Sequence, residues 1–130
     1  MICECKLKVR TYECDSYGHV NNANYLNYLE YARHEFLKDV GFDYDAMFKE
    51  GYGIYVARVE IDYIRPAFLD NELLIKSCSV KKGAVSGVIA QEVLRGDELL
   101  ARAKVTWAFV DSKGQPTKIP PQWDMPGLKP

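Results

Sequence analysis

No stretch of this chain approaches the roughly 18 consecutive apolar residues that a membrane-spanning helix requires. Charge of one sign is equally lacking. Seventeen Lys and Arg stand against eighteen Asp and Glu, for a formal net charge of −1. That balance excludes the basic face with which nucleic-acid binders displace counterions, and polybasic attachment to a membrane surface. The first six residues, MICECK, have neither the basic start nor the apolar run of a secretion signal, so a cytoplasmic location is expected. Metal-ligand spacing is missing too: Cys3, Cys5, Cys14 and Cys78, even with His19 nearby, follow no standard zinc pattern. They are expected as thiols in a reducing compartment, with no metal and no cofactor. Proline is scarce until late, five of the six falling after Val110.

What the chain does have is apolar content, 48% over 130 residues, enough for one domain with its own core. Alternation over residues 6–12, with Leu7 and Val9 opposite Lys6, Lys8 and Arg10, predicts a half-buried strand. Residues 25–40 carry helical spacing, with Tyr25, Leu29, Ala32, Phe36 and Val40 on one stripe and Leu26, Tyr28 and Leu37 beside it. So broad an apolar sector predicts a helix wrapped by other structure. Gly41 ends it, and residues 43–49 suggest a further short helix. Period two then takes over: strands are expected over 54–65, over 73–80 and 85–94 joined by a hairpin turn at Lys81-Lys82-Gly83, and a long one over 99–109. Short connections favour antiparallel pairing, and a single helix must cover one sheet face. The fold class is therefore α+β, an antiparallel sheet around one long helix, with uncovered edges that predict a homodimer. The domain is expected to fill residues 1–120, with 121–130 a proline-rich extended tail on the surface.

The segment between first strand and helix carries the chemistry. Asp15-Ser16-Tyr17-Gly18 is turn chemistry, and Asn21, Asn22 and Asn24 are candidate N-caps. No acid occupies the first helical turn, Glu30 being the earliest. Its N–H groups and the positive end of its dipole are thus free for an electron-rich ligand atom, a carbonyl becoming an oxyanion among them. Asp15 is the only acid between Glu13 and Glu30. A carboxylate there can attack an activated carbonyl or draw a proton from water, or it can simply build a turn.

The run Asp15-Ser16-Tyr17-Gly18-His19-Val20-Asn21-Asn22-Ala23-Asn24-Tyr25 resembles the D-x-x-G-H-[VL]-N-N-x-x-Y signature of hotdog-fold acyl-CoA thioesterases of the 4-hydroxybenzoyl-CoA thioesterase class. The helix around Glu30-Tyr31-Ala32-Arg33-His34-Glu35-Phe36-Leu37, the strand Val59-Glu60-Ile61-Asp62-Tyr63-Ile64-Arg65-Pro66, Asp70 and Val110-Asp111 resemble that family in the same order. The resemblance implies a five-stranded antiparallel sheet around a central helix, assembled as a homodimer or homotetramer. It implies hydrolysis of an acyl-CoA or acyl carrier protein thioester, with Asp15 as nucleophile or general base. The backbone N–H near Asn22 then polarises the carbonyl; some relatives carry Tyr or His at that position, so the implied role is the backbone's.

Around these, His19 is a candidate for hydrogen bonding or proton transfer, against a role in loop packing. Gly18 shapes the turn beside the substrate, and Tyr25 belongs to the core or the wall of an acyl pocket. Lys81 and Lys82, with Arg58 and Arg65, are candidates for the phosphates of coenzyme A, against simple solvation. Glu35 reads as a second acid across a dimer interface or as an ion-paired helix face. Two other activities stay open: a hotdog-type dehydratase or hydratase, which needs His19 or His34 opposite a carboxylate, and a non-catalytic acyl-thioester binding module.

Overall fold

The computed structural model describes residues 1–130. Strands β1 (Ile2–Lys8), β2 (Gly53–Tyr63), β3 (Glu72–Lys82), β4 (Ser86–Arg95) and β5 (Glu98–Val110) form one sheet in the order β1-β3-β4-β5-β2, every pairing antiparallel. Helix α1 (Asn24–Asp39) lies against it and α2 (Tyr44–Lys49) follows. This is the expected α+β hotdog arrangement.

Helix α1 buries Tyr25, Tyr28, Leu29, Ala32, Phe36 and Leu37. The predicted stripe is therefore the packed face, and Tyr28, expected only at its flank, joins it. Leu26 stays exposed. Gly41 ends the helix at φ +99°, donating to the Lys38 carbonyl (3.0 Å), while Phe42 N–H reaches that of Leu37 (3.0 Å). That paired closure needs a left-handed residue, which glycine adopts without a Cβ penalty. Asp43 caps α2 by accepting from Ala46 N–H (3.1 Å).

Two clusters make the core. One joins the N-terminal half of α1 to Leu73, Ile75, Val93 and Leu100; the other gathers Phe36, Met47, Ile89, Trp107 and Phe109.

Three local features differ from expectation. The first strand runs over Ile2–Lys8 rather than 6–12, placing Cys3 and Cys5 in β1 opposite Ser77 and Ile75, because the chain leaves the sheet into a 3₁₀ turn at Thr11–Glu13. Lys81 and Lys82 are not a hairpin turn: β3 continues through them past a bulge after Ser79, and the turn is closed by Gly83 N–H donating to the Ser86 carbonyl (2.7 Å). The C-terminal segment is not an extended surface strand. It forms two 3₁₀ turns, Pro121–Trp123 and Pro126–Leu128, that bury Ile119, Trp123 and Leu128 in the second cluster.

Candidate active site

The loop between β1 and α1 folds back on itself. Cys14 pairs with Val20, Asp15 N–H donates to the His19 carbonyl (2.9 Å), and Gly18 N–H donates to that of Asp15 (3.1 Å). Gly18 has φ +86°, where a side chain would be strained. The turn is tied to the segment after β2, since Val20 N–H donates to the Ala67 carbonyl (2.8 Å) and His19 pairs with Phe68.

Asp15 shows 21% side-chain exposure. One carboxylate oxygen accepts Tyr17 N–H (2.9 Å); the other lies 3.8 Å from His19 Nδ1. That same Nδ1 is 3.3 Å from the Val20 carbonyl oxygen. His19 is therefore beside Asp15 on one loop, not opposite it.

At the opening of α1 the backbone donors divide into spent and unspent. Ala23 N–H goes to Asn21 Oδ1 (2.9 Å) and Asn24 N–H to the Asn21 carbonyl (2.9 Å). None of Asn21, Asn22 and Asn24 is the N-cap as expected: that residue is Ala23, with no side-chain cap bond, and Asn21 instead accepts from Ala23 and Asn24 where the helix begins. The N–H groups of Asn22 and Tyr25 donate to no group of the chain. No acid neutralises the first turn, so the positive end of the helix stands open there.

Asp15, His19, Asn22 and Tyr25 line one cleft of about 570 Å³, together with Tyr63 and Arg65. Tyr63 fixes the helix entry by donating its hydroxyl to the Asn22 carbonyl (3.0 Å) and meets the buried Tyr25 ring edge-on at 5.2 Å. Burial pushes the Tyr25 phenol above its ordinary pKa. The cleft can therefore offer a carboxylate, free amide donors and an aromatic wall to one ligand.

The other candidates lie elsewhere in the protomer. Lys82 is nearly covered and pairs with Asp124 (2.9 Å), while Lys81 is exposed; neither lines this cleft. Arg65 does, holding Glu98 at 2.9 Å. Arg58 pairs with Glu60 (2.9 Å) and Glu35 with Lys38 (3.6 Å). His34 stacks on Tyr44 (4.8 Å) in a different pocket.

One residue escapes a reading by sequence. Glu13 is 4% exposed. One of its oxygens accepts Arg10 N–H (2.7 Å) and the Tyr28 hydroxyl (2.9 Å); the other accepts Arg10 Nε (3.0 Å) and Nη2 (2.7 Å). Burial acts to raise its pKa, but the bonds from Arg10 and Tyr28 outweigh it and hold the carboxyl below the usual range. The available signal was the i,i+3 pairing of Arg10 with Glu13 directly before the motif.

Against known proteins, a model of the thioesterase-like superfamily matches residues 9–124. The chain is 34% identical over 114 residues to the long-chain acyl-CoA thioesterase FadM of Escherichia coli, covering 86% of each protein. It is 30% identical over 125 residues to the chloroplastic acyl-acyl carrier protein thioesterase ATL3 of Arabidopsis thaliana; that match covers 90% of this chain but only 63% of the plant protein. Among solved structures, a probable thioesterase from Bartonella henselae superposes with a TM-score of 0.87 at 31% identity, over 92% of this chain and 100% of that one.

Proposed function

The chain belongs to the thioesterase-like superfamily, and from that membership and the cleft together we propose that it hydrolyses acyl thioesters of coenzyme A or of an acyl carrier protein. The acyl carbonyl enters the cleft with its oxygen toward the Asn22 and Tyr25 amides. Charge that builds on this oxygen as the carbon becomes tetrahedral is then met by donors already in position. Asp15 either attacks the carbon or takes a proton from water that does so. Water supplies hydroxyl to the acyl carbon and a proton to the departing sulfur, and the C–S bond breaks to give acid and thiol. One observation carries this reading: Asp15 and the two residues whose N–H groups stay unspent, Asn22 and Tyr25, line the same cleft.

The smaller roles follow from position. His19, against Asp15, can steady the carboxylate or assist its proton transfer. Gly18 does not itself line the cleft; it closes the turn at a φ that a side chain would strain, and Tyr25 walls the acyl slot. Arg65, which lines the cleft, is the candidate for a coenzyme A phosphate; Lys81 is exposed but lies away from this cleft, and Lys82 is engaged by Asp124. The domain works as a homodimer or homotetramer, because β2 ends the sheet and leaves Tyr55, Val56 and Tyr63 half exposed along it. Four free thiols suit a reducing compartment such as the cytoplasm.

The test is release of free thiol from a panel of acyl-CoA and acyl carrier protein thioesters, with wild type beside Asp15→Asn. Wild type turns over at least one class, and the variant loses about 10²-fold or more in kcat. Full activity in the variant removes Asp15 from the mechanism. Binding without turnover by wild type points instead to a binding module, and hydration of an enoyl thioester to a hydratase.

A further inference from the structure

We infer that Glu13 is a positioning residue of this site, holding the Asp15 loop at a fixed place relative to the first turn of α1. The inference rests on the role given to Asp15 above. Local bonds shape the turn that carries Asp15, and Val20 and His19 tie its far limb to the segment after β2. Its footing on the side of β1 and α1 is Glu13, two residues before Asp15.

Through its side chain Glu13 grips the exit from β1 (Arg10) and the second turn of α1 (Tyr28). Its main-chain carbonyl meanwhile accepts Asn21 N–H (2.9 Å) and Asn24 Nδ2 (3.0 Å). One residue thus ties together both ends of the loop and the helix whose amides face the cleft. The pair of buried Glu13 with a half-exposed Arg10 is weak evidence for stability, since water screens such a pair and apolar residues often serve a buried site as well. What a bidentate, fully bonded carboxylate supplies is fixed geometry. Geometry is what the reaction needs, because a misplacement of about 1 Å can cost about 10²-fold in rate.

Glu13→Gln tests this sharply. Each carboxylate oxygen accepts from two donors, so the amide must turn its NH₂ toward donors whichever way it is set. The expected result is a fall in kcat of about 10–100-fold with KM moved less than about threefold. In an Asp15→Asn background the same change should alter residual turnover by less than about twofold, because the group it positions is gone. A purely structural role predicts the opposite: equal losses in both backgrounds, in step with the folded fraction. If Glu13→Gln does not fold, Tyr28→Phe decides, since it removes one bond and keeps the ion pair. It should lower kcat by a smaller factor, again without effect when Asp15 is Asn. Full kcat in folded Glu13→Gln or, failing that, in Tyr28→Phe overturns the inference while Asp15→Asn stays inactive. An active Asp15→Asn would instead bring down the reading it rests on.

Discussion

The two ends of α1 are built from similar parts to opposite effect. At its N-terminal end a non-periodic loop is anchored by a buried acid, Glu13, yet leaves two backbone donors without partners, on residues that line a cleft with Asp15. At its C-terminal end the chain's last segment is anchored just as firmly, but its polar groups are consumed. Trp123 Nε1 donates to Glu50 (2.9 Å), its ring stacks on Phe42 (6.4 Å), Lys82 holds Asp124, and Ser79 Oγ bonds the Leu128 carbonyl. Burial alone therefore does not mark a working site. Polar capacity left over beside a cleft does, as at the N-terminal end; in the second cluster Trp107 Nε1 also lacks a partner, but it is a single buried donor.

Variants at the two ends should separate stability from turnover. Trp123→Ala, at the consumed end, removes a buried ring and should cost about 3–5 kcal/mol in chemical denaturation while kcat per folded molecule holds. A loss of kcat in folded protein would break the contrast. Asp15→Asn should do the reverse, losing about 10² in kcat, or about 2.7 kcal/mol of barrier, with Tm nearly unchanged.

Acid should sharpen the contrast further. Glu13 is held below its ordinary pKa, so its contribution is complete above the unfolded value and is lost as pH falls through the folded one. The Tm gap between wild type and Glu13→Gln should accordingly narrow below about pH 4.5. A gap that is constant from neutral to acid pH would mean the carboxylate charge carries none of it. The smallest effect belongs to Lys82→Met. Its partner Asp124 is partly exposed, so the cost should be about 1 kcal/mol or less, with KM for acyl-CoA little changed. A severalfold rise in KM would bring Lys82 into substrate binding.

Legibility in the sequence followed the same divide. Where burial repeats, it could be read: the α1 stripe, the Gly41 terminus and four of the strands lie close to where periodicity put them. Between Asp15 and Tyr25 the turn and the helix start without acids could be read because both are local properties, whereas the choice of catalysis over turn-building for Asp15 came from the family resemblance alone. Glu13 was not, because a lone acid in a sequence reads as solvated, and its burial depends on Tyr28 arriving from fifteen residues away. The C-terminal segment was opaque for a related reason. Ile119, Trp123 and Leu128 each enter the core singly from 3₁₀ turns and loops, which leaves no repeat to detect. Lys81 and Lys82 looked like a turn because charge usually marks one, whereas a bulge carries β3 through them.

If the amides opening α1 bind the thioester oxygen within reach of Asp15, they polarise its carbonyl. Infrared difference spectra of an acyl-CoA with an isotopically labelled carbonyl, bound to Asp15→Asn so that it survives, read that polarisation. The expected carbonyl stretch lies at lower frequency than for the same thioester in water. A bound carbonyl at the solution frequency or above it would mean that the amides do not hold the oxygen.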